Sequence, residues 1–148
     1  MLLNDNAMKT FKKISIIFLF VAALMTGVQV QAQTLRDAEY HSMGRISPNG
    51  TVRDANYQSM GFFDKNGNVL DKANRVVGKV KNLQIYNTEG ERIGYINTDG
   101  TVCNGESLVL GKIEKNGKVL DSEKNVIGYA QGISFEWIAC YFFFDFFK

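Results

Sequence analysis

The feature that most constrains this chain is an internal repeat. Thr34–Gly44 (TLRDAEYHSMG) returns as Thr51–Gly61 (TVRDANYQSMG), with three differences in eleven positions. Aligned on glycine, the chain carries six nodes, Gly44, Gly61, Gly78, Gly94, Gly111 and Gly128, spaced 17, 17, 16, 17 and 17 residues apart. A period this short leaves each unit unable to bury its own apolar face, so the units must pack on one another.

Three columns around the nodes are apolar in every copy. One residue before each glycine stand Met43, Met60, Val77, Ile93, Leu110 and Ile127. Two residues after stand Ile46, Phe63, Val80, Ile96, Ile113 and Ala130, and nine before stand Leu35, Val52, Val69, Ile85, Val102 and Val119. Short segments rich in Val, Ile, Phe and Tyr, separated by turn residues at intervals too short for helices, predict β-strands. Asn49-Gly50, Asn66-Gly67, Asp99-Gly100 and Asn116-Gly117 suit the positive φ angles of tight hairpin turns. Asp37, Asp54, Asp71, Asn87, Asn104 and Asp121, each seven residues before a node, suit Asx-turns, in which a short side-chain oxygen accepts a backbone N–H.

The columns at −1 and +2 have opposite parity, so a flat strand would send them to opposite faces. A bulge or bend at the glycine brings both inward; the alternative is that one column faces a second layer. Five full units run from Gly44 to Ile127, with complementary half-units at the two ends, which predicts that the ends meet and close a ring without free sheet edges. The Gly78 and Gly128 units both lack the Asn-Gly hairpin, consistent with an ancestral duplication of about fifty residues.

The iterated G-x-[IFV]…[ND]-G-x-V-x-D…[MVIL]-G pattern, behind an export signal and ahead of an aromatic C-terminus, resembles the small exported "five-fold β-flower" proteins of Bacteroides-type bacteria. The resemblance covers about Thr34 to Phe147. It implies an all-β, closed or nearly closed radial array of β-hairpins with pseudo-five-fold symmetry and an envelope location. It implies no activity.

Ahead of the repeats, Met8 opens a secretory pattern: Lys9, Lys12 and Lys13 precede an apolar stretch over 14–28, and Val30 and Ala32 place small residues at −3 and −1 of a cleavage site before Gln33. Residues 1–32 are therefore expected to be a signal peptide, translated from Met8, and 33–148 a single repeat domain that is periplasmic or secreted. The mature chain has no stretch long and apolar enough to span a membrane as a helix. Without Asp5, Lys9, Lys12 and Lys13, the 17 basic and 15 acidic residues of the chain become 14 of each. That balance carries no electrostatic footprint for nucleic acid.

The tail from Ile133 to Lys148 is dense in aromatic residues. It is expected to form a hydrophobic closing strand that fills the ring's centre or covers one face, with self-association or a partner contact as the alternative. Cys103 and Cys140 are the only cysteines; they lack CxxC spacing, and a bridge between them is left open.

No residue is assigned a catalytic, cofactor-binding or metal-binding role. Asp64–Asp71 has a calcium-loop flavour but lacks a full ligand set and is better read as a turn. His41, the sole histidine, aligns with Gln58, so an ordinary polar residue serves there. Tyr40 and Tyr57 at equivalent turns, and Tyr95 and Tyr129 just after their nodes, form a candidate interaction surface. The expected function is a non-catalytic envelope or secreted module for binding or structure; a glycan- or peptide-directed hydrolase using unassigned acids is the alternative.

Overall fold

The computed structural model describes residues 33–148; the expected signal peptide lies outside them. Twelve short strands follow one another: β1 (Gln33–Arg36), β2 (Ser42–Ile46), β3 (Thr51–Asp54), β4 (Ser59–Phe63), β5 (Asn68–Asp71) and β6 (Val76–Lys81). They continue with β7 (Gln84–Tyr86), β8 (Arg92–Ile96), β9 (Thr101–Asn104), β10 (Val109–Ile113), β11 (Lys118–Asp121) and β12 (Val126–Tyr129). Each pairs antiparallel with its sequence neighbour, and β1 pairs with β12 through Arg36 and Tyr129, which closes a barrel. The half-units expected at the chain ends thus meet at a seam. A single helix, α1 (Phe135–Phe142), follows the strands.

The bulge is present in all six units. Val52 pairs with Gly61, yet the next pair is Arg53 with Ser59, so Met60 is the extra residue. The same skip falls at Met43, Val77, Ile93, Leu110 and Ile127. The −9 and +2 columns are buried in every copy and form the core. The −1 column is half-buried in five copies; Met43, 37% exposed, departs from the expected rule.

The 16-residue step has a local cause. Elsewhere four residues separate the strands at this end, three of them inside the hydrogen-bonded pair that closes the turn, and the last is a glycine in left-handed conformation, as at Gly67 (φ 84). Between β6 and β7 only Asn82 and Leu83 cross, both at positive φ, as a type I′ turn requires. Leu83 pays the steric cost of φ 61 in the place of a glycine, and its N–H donates to Glu136 Oε1 of α1 at 2.7 Å.

The aromatic tail is not the closing strand expected from its composition. Every strand of the barrel is already paired on both sides, so a strand inside would leave its backbone N–H and C=O groups unpaired. A helix satisfies its own. Ser134 caps α1 by accepting from the Trp137 N–H, and Glu136 sits in the first turn, where the helix dipole favours an acid. Ile138, Ala139 and Cys140 are buried among the inward-facing strand residues, so the helix fills the bore. Trp137 stacks on Phe63 at 5.0 Å between centroids, and Phe147 meets the same ring edge-on at 5.3 Å.

From the last residue of α1 onward the chain distributes one ring to each of five nodes. A methyl group on Gly128 would run into Phe142, on Gly111 into Phe143, on Gly94 into Phe144, on Gly78 into Phe146 and on Gly61 into Phe147. Asp145, exposed and at φ 54, is the residue skipped between the third and fourth rings. Gly44 faces only backbone, so the sixth node is left uncovered. The node glycines are therefore sockets as well as neighbours of a bulge.

This socket arrangement makes a quantitative expectation. A Cβ at Gly78 would lie 2.5 Å from Phe146 Cε1 and 2.6 Å from its Cζ. Phe146 is half-buried, so Phe146→Ala should cost about 2 kcal/mol, less than a fully buried ring, and Gly78→Ala about 1–3 kcal/mol through overpacking. The double variant should lose less than the sum by about 0.5 kcal/mol or more, because the missing ring makes room for the methyl. Urea unfolding of the four proteins measures this; strictly additive losses would remove the ring–glycine contact from consideration.

Candidate functional site: an arginine–tyrosine face at the barrel seam

The turns opposite the Asn-Gly end share one geometry. Asp54 Oδ1 accepts the N–H groups of Asn56 and Gln58, both at 2.9 Å, and Asp71, Asn87, Asn104 and Asp121 repeat the pattern. The residue that closes each turn is left-handed: Tyr40 (φ 73), Tyr57 (φ 66), Asn74, Gly90, Ser107 and Lys124. Glycine or asparagine fills such a position at least cost, and a bulky aromatic is an outlier there. Two consecutive units nevertheless carry tyrosine, 58% and 59% exposed.

Arginines hold both rings. Arg36 lies over Tyr40 at 4.6 Å and donates from Nη1 to the Tyr40 carbonyl at 3.0 Å. Arg53 donates in the same way to the Tyr57 carbonyl at 2.9 Å, while Arg45 from the neighbouring strand lies over the Tyr57 ring at 3.9 Å. Tyr129 meets Tyr40 edge-on at 5.0 Å across the seam. Arg45 stands directly opposite Arg53 in the ladder, a like-charge pair that destabilises unless something intervenes. Arg45 Nε is buried without a hydrogen-bond partner, and no ion pair among the described residues involves Arg36, Arg45 or Arg53.

Of the four tyrosines singled out in the sequence, Tyr40, Tyr57 and Tyr129 come to this face. Tyr95 lies on β8, half-buried beneath Arg92 at 5.1 Å, and belongs elsewhere. The arginines were missed by sequence reasoning, although a signal existed. The two most similar repeats keep Arg eight residues and Tyr four residues before the node, where other copies carry Leu70 and Asn74, or Leu120 and Lys124.

The remaining candidates have local explanations. Asp64 Oδ1 accepts from the Asn66 and Asn68 N–H groups and its Oδ2 from Asn68 Nδ2, so the calcium-like loop is a hydrogen-bonded turn. Asp37, Glu39 and His41 place ligand-type atoms within 4.8 Å of one another on an exposed turn. The His41 N–H and Nδ1 are engaged with Asp37 at 2.7 and 3.2 Å, the backbone bond being the one Gln58 makes to Asp54. Cys103 and Cys140 are free thiols; burial pushes Cys140 well above the ordinary thiol range, which makes it inert. A depression of about 850 Å³ beside the first turn of α1 is lined by residues of both signs, among them Lys79, Lys81 and Glu136.

The turn hydrogen bonds also set the acid response. The Arg75 backbone N–H holds the Asp71 carboxyl below its ordinary range, the Thr101 N–H does the same to Asp99, and the Asn125 side-chain amide to Asp121. A depressed folded pKa stabilises above the unfolded value and is lost as the pH falls through the folded one. The melting temperature should therefore hold level from neutrality and fall below about pH 4. Asp71→Asn with Asp121→Asn should flatten that fall, since Asn87 and Asn104 already serve the same turns. An unchanged acid slope in the double variant would show that other groups control it.

Among curated proteins and among solved structures, nothing matches this chain. The family model described as "5-fold beta-flower protein" matches residues 32–147, which takes in every strand, the helix and the phenylalanines on the nodes. The chain belongs to the 5-fold β-flower protein family.

Proposed function

We propose that this protein is a non-catalytic exported module that presents the arginine–tyrosine face to a ligand or partner, in the periplasm or outside the cell. The observation that carries the reading is the pair Tyr40 and Tyr57, strained in left-handed turns and more than half exposed. Strain of this kind persists where the surroundings hold it, and it clusters at ligand-contacting sites. Export is supported by the charged and apolar segments from Lys9 onward and by the small residues before Gln33.

The acids argue against hydrolysis. A glycosidase needs one carboxyl with its pKa raised to act as general acid. Asp71, Asp99 and Asp121 are all shifted the other way by turn hydrogen bonds. The bore, where a substrate could be enclosed, is filled by the protein's own helix and rings.

Expression of the full chain in a bacterial host should yield, from the periplasm or the medium, a protein whose mass begins at Gln33. Uncleaved protein confined to the cytoplasm would overturn the export reading. Replacing both Tyr40 and Tyr57 with glycine should leave the melting temperature unchanged or raise it, because relief of the left-handed conformation offsets the lost ring contacts. A marked drop would make these residues structural.

A further inference from the structure

The binding reading leaves the ligand's chemistry open, and the seam face narrows it. Three guanidinium groups from Arg36, Arg45 and Arg53 lie on adjacent strands with no ion-pairing carboxylate among the described residues. Arg36 and Arg53 each spend an Nη1 on a turn carbonyl. Arg45 is different: its guanidinium lies over the Tyr57 ring, and its Nε is buried without a hydrogen-bond partner among the described residues. A buried donor without an acceptor is costly, and the planar fork of arginine matches a carboxylate with two parallel bonds. The Nε itself is closed to solvent, so an oxyanion would meet the remaining Nη groups of Arg45 and Arg53, and it would relieve the like-charge pair.

The tyrosines say what should carry the anion. One face of each of the Tyr40 and Tyr57 rings is covered by an arginine, and the rings remain over half exposed. Flat rings with a polar tip suit a partner that is itself apolar on one side and polar at its rim, as a pyranose ring is. The barrel is closed, so it offers no sheet edge on which an extended peptide could add a strand. Among the described residues the large exposed aliphatic side chains are Met43, Val76, Leu108 and Val109, scattered over three units and too few for the apolar groove an amphipathic helix needs. The even charge of the mature chain lacks the long-range field that nucleic acid exploits.

We propose that the seam face binds a carboxylate-bearing oligosaccharide, with its uronate carboxyl on Arg45 and Arg53 and its sugar rings against Tyr57 and Tyr40. This rests on the reading of the chain as a binding module. Calorimetric titration of the mature protein with a galacturonic acid trimer tests it, with the methyl-esterified trimer as the neutral partner. The acid trimer should bind, and esterification should weaken binding by about tenfold or more, as loss of a charged hydrogen bond does. Arg45→Gln should weaken it by a similar factor. Arg45→Lys, which keeps the charge and the fold but not the fork, should recover only part of the affinity. Tyr57→Gly should also weaken it, while Tyr95→Phe should not.

The idea fails if the correctly processed protein gives no heat with the acid trimer at millimolar concentration, and export would still stand. It fails equally if acid and ester bind alike, if Arg45→Gln and Arg45→Lys both bind as the parent does, or if inorganic sulfate displaces the trimer completely at equal concentration. That last result would reduce the site to a simple anion contact.

Discussion

The fold depends on a missing atom. Five of the six node glycines lack the Cβ that would occupy the space of a phenylalanine ring, and five rings from one short segment fill those spaces. Glycine in a strand costs about 0.5–1 kcal/mol in backbone freedom, while fully burying a phenylalanine side chain gains about 1.5–3 kcal/mol; Phe147 is buried and the other four rings are half-buried. A Cβ at any of the six nodes would also come within 2.9 Å of a neighbouring strand's carbonyl oxygen, so the backbone requires glycine and the rings use the space it leaves. That filling also explains why the radial array needs no second sheet or outer layer: α1 and the rings are the inner layer, and each unit contributes one socket.

The same arithmetic runs out at Gly44. With five rings for six nodes, one socket faces only the neighbouring strand's backbone, and Met43 beside it is more exposed than its five counterparts. This unit adjoins the seam between β1 and β12, and it is here that the tyrosines and unpaired arginines gather. The arginine–tyrosine face therefore spans the uncovered Gly44 unit and the Gly61 unit beside it, the two most similar repeats of the chain. Elsewhere the turn position four residues before the node holds Asn74, Gly90, Ser107 or Lys124, none of which offers a flat surface.

Much of the architecture was legible because period and parity are local properties. The −9 and +2 columns could be assigned inward from spacing alone, and the buried Leu35, Val52, Ile46 and Phe63 follow that rule. The bulge followed from the opposite parity of Met60 and Phe63, and closure from complementary ends. Two things were not legible. The tail reads as strand because Trp137, Tyr141 and the phenylalanines favour β-structure; what decides for helix is the absence of any free strand edge inside the bore, which only the closed barrel reveals. Node glycines and tail aromatics were each conspicuous, yet their match depends on contacts between residues as far apart as Gly61 and Phe147. The site was half visible: spacing singled out the tyrosines, but Arg45 gains its meaning from standing beside Tyr57 and opposite Arg53, across strands.

The position of the rings in chain order governs how the native state can be reached. Neighbouring strands form hairpins from residues close in sequence, so individual petals can assemble early and quickly. The hub comes after all of them, and its rings must seat in sockets contributed by five different hairpins. A nascent chain that has emerged only as far as β12 has its petals but nothing to hold their inner faces apart from water. The rings can seat only when the chain through Phe147 is present with all five hairpins.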